Sequence, residues 1–346
     1  MQYCFDRSDH RIEAPGFDPW FYNTSFNAAK AVALGKHLPS VLSFVKALPE
    51  SIAVKIGDEV SANLQLKNVS QESVSNPPIS NAWTQERKVQ IEELRRSGFT
   101  RSDEEHATIF HTLLQSDLPT SEKSTLRLAE EAMLLVGAGT HTTSWIITVI
   151  AFHLISNPPL LRRLREELRT AIPNPAISVP LMELEKLPYL TAVLKEGMRL
   201  GYGATNRSSR IAPDKSLQCG EWLIPAGTPV SMTIPLTHHD ENIFPDSHSF
   251  KPIRWLGENA NELEKYLVAF SKGSRSCVGM NLAWAEMYLC TAGIFRRFGS
   301  REVREEGDLG VLELHETDES DVRMQSDMFF PVAKPGSKGV RVKIST

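Results

Sequence analysis

The sequence predicts a mainly α fold with a minor antiparallel β portion, and three observations carry that prediction. First, the run SEKSTLRLAEEAMLLVGAGTHTTSWIITVIAFHLIS begins after Pro119 and Thr120 and stops at Asn157-Pro158-Pro159. Read as one helix over about 121–156, it is roughly 50 Å long at the α-helical rise, enough to cross a whole domain. Second, helical periodicity recurs elsewhere: at about 26–48, 82–97 and 103–116, in PLLRRLREELRTAI, in LPYLTAVLKEGMRL (about 187–200) and at 278–297. Third, β-like pieces such as SSRIAP, SLQCG, EWLIPAGTPVSMTIPL and the closing GVRVKIST are short and alternating.

With 346 residues and 41% hydrophobic content, the chain can bury a substantial core, in one large domain or two smaller ones. A formal net charge of −4 gives no overall basic surface, which excludes nucleic acid as a partner on charge. Cys4, Cys219, Cys277 and Cys290 stand far apart, without CxxC or finger spacing. That excludes a disulfide framework and a zinc finger, and fits a reduced intracellular setting. The first residues are polar and the most apolar later run, WIITVIAFHLI, is too short to cross a bilayer, so no signal or membrane anchor is expected.

The stretch FSKGSRSCVG, residues 270–279, places one cysteine among two glycines and two cations just before a helical run. A thiolate, the form that ligates metal, is favoured near a helix N-terminus and near cations, and Cys277 has both. Gly273 permits a positive φ, Gly279 lets a bulky flat group approach the backbone, and Phe270 can shield the sulfur from water. KEGMR sets Glu196 and Arg199 at i and i+3 on one helix face. In AGTHTTS, Gly137 and Gly139 weaken the long helix, and the hydroxyls of Thr140, Thr142 and Thr143 are expected to bond backbone carbonyls and open a local groove.

The pattern F-x-x-G-x-R-x-C-x-G, filled by Phe270, Gly273, Arg275, Cys277 and Gly279, resembles the heme-binding loop of the cytochrome P-450 family. The resemblance implies that Cys277 is the proximal thiolate ligand of heme b iron and that Arg275 pairs with a heme propionate. It implies a buried scaffold of Glu196, Arg199 and Arg254 under the loop, and a strand arginine, Arg210, for the other propionate. Thr142 falls on the family threonine that handles dioxygen and directs protons, while His141 stands where an acid is usual. A histidine titrates near neutrality and is expected to relay protons there. Pocket residues expected by the same resemblance are Val136 and Ala138, the stretch Gly203, Ala204 to Asn206, and Met328 with Phe329, mostly small or apolar.

The landmarks run in family order over roughly residues 15–346. The resemblance therefore implies a cytochrome P-450 fold lacking its N-terminal part, the chain 1–346 being the C-terminal two-thirds of that domain. The activity implied is a heme monooxygenase that takes electrons from an NADPH-dependent cytochrome P-450 reductase and inserts one atom of dioxygen into an apolar organic substrate. A terpenoid or polyketide secondary metabolite of fungal type is the expected substrate class. The full-length family member is expected on the cytosolic face of the endoplasmic reticulum membrane. Two other outcomes fit the same residues: a heme-thiolate isomerase or dehydratase that does not use dioxygen, and a vestigial heme-binding chain.

Overall fold

The computed structural model describes residues 79–96, 108–177 and 179–346, with a few isolated positions between 13 and 26. The helix expected at 26–48, apart from Phe26, and the start of the one expected at 103–116 lie outside the described residues. The chain divides into two compact units, Met1–His141 and Thr142–Thr346.

In the first unit, α1 (Ile79–Arg96) and α2 (Ile109–Gln115) are followed by α3 (Thr125–Ile155). Apolar residues of these helices, Ile91, Phe110, Leu128 and Ala132, form one buried cluster. Thr108 caps α2 by accepting the His111 backbone N–H, and the His111 imidazole accepts the Thr108 N–H in return. Arg95 donates to the Lys123 carbonyl at 2.5 Å and to the Thr125 hydroxyl at 3.2 Å, fixing the turn that precedes α3. That turn corrects the expected start of the long helix. Residues 120–123 are used in reverse-turn bonds from Glu122 and Lys123 back to Pro119 and Thr120, so helix begins at Thr125.

The helix is also α-helical throughout the Gly-Thr segment, which corrects the expected opening of its ladder. Thr140 does bond back to the Val136 carbonyl, at 2.7 Å, without displacing the regular bonds. At 31 residues, α3 is long and apolar enough to cross a bilayer by length and composition, which corrects the expectation drawn from its most apolar eleven residues alone.

In the second unit the C-terminal part of α3 packs with α4 (Pro158–Ala171), α5 (Leu181–Leu184), α6 (Pro188–Gly201) and, further along, α9 (Met280–Arg297). Ile146, Val149 and Ile150 of α3, Leu161, Leu164 and Leu168 of α4, Leu190, Val193, Leu194 and Met198 of α6, and Met287 and Phe295 of α9 make one core. The three- and four-residue spacing in each set is what brings a single stripe of each helix inward. Asn157 caps α4 by accepting the Leu160 N–H, with prolines in its first turn. Leu187, at the cap of α6, has no side chain for the task, and the Glu167 carboxylate of α4 accepts the Tyr189 and Leu190 N–H groups instead, at 2.9 and 2.8 Å. Arg165, also on α4, is buried and pairs with Asp308 at 2.6 Å while donating to the Phe295 and Phe298 carbonyls, which ties α4 to the end of α9.

Close helix packing depends on Gly197. A Cβ there would stand 2.2 Å from Cγ1 of Ile150, so α6 can sit against α3 only without a side chain. Gly197→Ala is expected to lower the Tm. Overpacking a filled site costs about 1–3 kcal/mol, and the helix-propensity gain of up to about 1 kcal/mol offsets only part of it. A melting curve matching the parent would show that the two helices have room to part.

Between α6 and α9 lie the strands β1 (Arg210–Ile211), β2 (Leu217–Cys219), β3 (Trp222–Ile224) and β4 (Pro229–Val230), then α7 (Ile234–His238) and α8 (Ala260–Glu264). β1 pairs with β4 and β2 with β3, both antiparallel. After α9 come β5 (Phe298–Gly299), β6 (Gly310–Leu314), β7 (Ser326–Met328), β8 (Phe330–Val332) and β9 (Val342–Ser345). β6–β9 and β7–β8 are antiparallel. The two-residue β5–β6 pair is parallel, because the chain loops back over 300–309 before entering β6 in the same direction. The fold is thus mainly α with a small, almost wholly antiparallel β portion.

Candidate functional site

Residues 270–279 form an open loop at the N-terminus of α9. Two bonds close its backbone internally: the Cys277 N–H donates to the Phe270 carbonyl at 2.9 Å, and the Ser276 N–H donates to the Gly273 carbonyl at 3.0 Å. Gly273 has φ +78° and starts a single 3-10 turn, Gly273–Arg275, a conformation that a Cβ would strain. Cys277 is a free, exposed thiol. Gly279 caps α9 without a side chain, and a Cβ there would meet the Cys277 sulfur at 3.9 Å. The uncapped first turn of an 18-residue helix thus follows directly on the sulfur, and its dipole favours negative charge there. Arg275 is exposed and Phe270 half-buried. Phe270 packs against Trp284 with the rings tilted by 43°, Trp284 stacks on Tyr288, and the Tyr288 hydroxyl meets the Thr191 hydroxyl at 2.7 Å.

A buried charge network underlies the loop. Glu196 and Arg199 are both fully buried and form a double hydrogen bond, Nε to Oε2 at 3.0 Å and Nη2 to Oε1 at 2.8 Å. Arg254 donates to Glu196 Oε1 at 3.0 Å, the Trp255 indole to Oε2 at 2.9 Å and the Lys251 N–H to Oε1 at 2.8 Å. Arg199 spends its remaining donors on the carbonyls of His238, Ser247 and Ser249. Both charges are therefore saturated, the condition under which a buried pair is tolerated.

His238 carries this network to the thiol loop. Its Nε2 accepts the Val268 N–H at 3.0 Å, so the proton sits on Nδ1 and is donated to the Arg199 carbonyl at 2.8 Å. Val268 in turn accepts the Ser271 N–H, two residues from Gly273. The sequence reading missed His238, because one histidine in a THHD string carries no signal of a bond to position 268.

The remaining predicted residues are placed as follows. Thr142 is half-buried on α3, at the start of the second unit. One residue on, Thr143 is buried, and its hydroxyl neighbours the Glu286 carboxyl of α9. Burial pushes the Glu286 carboxyl above the usual carboxylate range, against the pull of the Thr143 hydroxyl. Glu286 was also missed, since nothing local relates position 286 to position 143. Val136 and Ala138 lie on the part of α3 in the first unit. Gly203, Ala204, Met328 and Phe329 all belong to the second, where the Thr205 N–H donates to the Phe329 carbonyl at 3.0 Å and the Thr205 hydroxyl donates to Asp327 at 2.7 Å. Phe329 has φ +75°, a strained value for a bulky residue. Arg210 is exposed on β1 and folds back on the Ser208 and Ser209 carbonyls, at 3.2 Å each.

His141 corrects one expectation. It is buried near the Phe26 ring, at 6.0 Å between centroids, and burial holds its imidazole down at about 4. It is neutral at pH 7 and does not titrate near neutrality. His153, His238 and His239 are likewise pushed down by burial, to about 4, 3 and 4. The unfolded chain takes up these protons near pH 6.5 and the folded chain does not. Their contribution to stability is therefore complete above about pH 6.5 and lost as pH falls toward 4 and 3. Melting curves across pH 7.5 to 4.5 are expected to show Tm falling below pH 6.5, and a flat profile would mean that these rings are solvated.

Cys277 offers one sulfur, and among the described residues no group of three or more His, Cys, Asp or Glu is placed to hold a metal ion. One soft donor on an open glycine-flanked loop suits a metal that brings its other ligands with it, as heme iron does. An accessible thiol at a helix N-terminus, linked through His238 and Val268 to a saturated buried ion pair within a mainly α fold, defines the class.

Comparison with known proteins gives the family. The family model for cytochrome P450 matches residues 80–313. The chain is 43% identical over 350 residues to the cytochrome P450 monooxygenase tpcC of Cochliobolus heterostrophus, covering 99% of this chain and 63% of that protein. It is 46% identical over 280 residues to the cytochrome P450 monooxygenase astB of Talaromyces wortmannii, covering 75% and 55%. To the tryptophan 6-hydroxylase fscE of Fusarium equiseti it is 36% identical over 349 residues, covering 99% and 62%. The chain belongs to the cytochrome P450 family, and it spans about 63% of the length of the first of these relatives.

Proposed function

We propose that this chain is the thiolate-bearing part of a heme monooxygenase acting on an apolar organic substrate of terpenoid or polyketide type. The observation that carries the reading is Cys277, free and exposed at the N-terminus of α9, on a loop fixed through His238 to the Glu196–Arg199 pair. Similarity to fungal monooxygenases supports it. The heme is b-type, its electrons come from an NADPH-dependent reductase, and the whole protein works at the endoplasmic reticulum membrane.

When bound, heme supplies dioxygen activation and the insertion of one oxygen atom. The chain supplies the rest. The Cys277 sulfur would ligate the iron at the N-terminal end of α9, with Phe270 packed against Trp284 beside the loop. Arg275 and Arg210 are the cations for the two propionates, Arg210 by leaving its present bonds to Ser208 and Ser209. The Thr142 hydroxyl passes protons on the substrate side. Burial raises the Glu286 carboxyl above the usual carboxylate range beside Thr143, while the buried His141 imidazole stays neutral down to about pH 4. Gly203, Ala204, Met328 and Phe329 shape the substrate pocket within the second unit.

The test is turnover of the heme-loaded protein with reductase, NADPH and isotopically labelled dioxygen, read as one labelled atom in the product. Thr142→Val is expected to keep heme and substrate binding while diverting most reducing equivalents to peroxide. Unchanged product per NADPH in that variant would remove Thr142 from proton delivery. Heme uptake with no labelled product in the parent would leave a heme-binding chain without oxygenase activity.

A further inference from the structure

Away from the thiol loop, the second unit carries a groove of about 640 Å³, the size of a small-molecule site. Its walls come from the end of α3, the start of α4, the start of α6, residues 248–253 and Glu319. Aromatic faces and one unspent cation meet there. The His153 ring stacks on Phe250 at 4.6 Å and 19°, and Arg163 lies over the Tyr189 ring at 4.4 Å. Burial holds the His153 ring neutral, so the stacked pair presents an uncharged aromatic surface.

Arg163 is the informative residue. It is exposed, its guanidinium carbon sits 4.4 Å over the centre of the Tyr189 ring, and among the described residues its side chain makes no ion pair or hydrogen bond. Its fork of donors is thus oriented and unused, the arrangement that takes a carboxylate through two parallel bonds. Lys251 adds a second cation at the rim, though its ammonium is paired with Asp246. Glu319 lines the same groove and disfavours a dianion.

We propose that this groove binds a small aromatic monocarboxylate, its ring against His153 and Phe250 and its carboxylate on Arg163. The site reports to the scaffold of the thiol loop. Groove residues Ser249 and Lys251 are the ones whose backbone groups bond Arg199 and Glu196, at 3.1 and 2.8 Å. An occupant therefore stabilises the segment that holds the buried pair, and acts as an effector at a distance from the sulfur.

Benzoate is the probe, with benzyl alcohol as its neutral counterpart, both titrated into the full chain by calorimetry and by melting curves. Benzoate is expected to bind and to raise Tm with concentration, benzyl alcohol to bind at least about tenfold more weakly, and Arg163→Gln to weaken benzoate by about tenfold or more. Arg163→Lys is expected to recover only part of the affinity, since a point charge cannot form the fork. Arg163 is exposed, so neither variant is expected to change folding, and a matching circular dichroism spectrum checks this. The proposal is overturned if benzoate fails to bind at 10 times the concentration of a millimolar site, roughly 10 mM. It is equally overturned if Arg163→Gln binds benzoate as well as the parent, or if benzyl alcohol matches benzoate. Because none of these readouts uses heme or turnover, failure here leaves the monooxygenase reading untouched, and failure of that reading leaves the groove intact.

Discussion

Cys277→Ala is expected to abolish the red-shifted carbon-monoxide band of the reduced, heme-loaded protein, leaving far-ultraviolet circular dichroism unchanged. The loss is complete rather than partial because no other described thiol is placed to substitute. Cys219 sits at the end of β2 in the exposed β2–β3 hairpin. Cys290 is thirteen residues beyond Cys277, within α9, and burial with the neighbouring Glu286 charge pushes its thiol up, away from the thiolate form. The fold survives because the loop is held by backbone bonds, from the Cys277 and Ser276 N–H groups, that alanine leaves in place. Survival of the band in Cys277→Ala would place the ligand elsewhere in the chain.

How far the sequence announced this site depends on the range of each interaction. The thiol loop was legible because its requirements are local. A positive φ at Gly273, an absent Cβ at Gly279 and a helix start after Cys277 all fall within ten residues. The Glu196–Arg199 pair was legible for the same reason, being one turn apart on α6. What saturates that pair was not. The carbonyls of Ser247 and Ser249, the Trp255 indole and the His238 relay to Val268 come from 39 to 59 residues downstream of their partners on α6, and only the resemblance named Arg254 among them. His141 shows the opposite failure. Its neighbours in AGTHTTS are small and polar, which reads as an accessible segment, yet the ring is buried and cannot charge near pH 7. The aromatic groove went unseen because it is assembled from five separate segments, with Arg163 hidden in a run of arginines that looks like an ordinary solvated face.

Glu196→Ala is expected to lose the soluble folded state, the largest stability effect of any single substitution considered. Removing the carboxylate strands one fully buried guanidinium, Arg199, and one largely buried, Arg254, and it also deprives the Trp255 indole and the Lys251 N–H of their acceptors. Breaking a buried pair from one side costs about 3–5 kcal/mol, against a total domain stability of roughly 5–15 kcal/mol. The damage is not confined to the network, because Arg199 is also the residue through which His238 holds Val268 and the approach to the thiol loop. Glu196→Gln separates charge from shape. It keeps an acceptor oxygen for the indole or the Lys251 N–H, but it brings an amide N–H₂ against Arg199 and supplies no neutralising charge. It is therefore expected to fold with a lowered Tm and weakened heme retention, between the parent and Glu196→Ala. Soluble yield, Tm and bound heme per chain, measured on all three proteins side by side, check the order. If Glu196→Ala stayed soluble and melted within a degree or two of the parent, the pair would be a surface contact and the route from α6 to the cysteine loop would have to run through other residues.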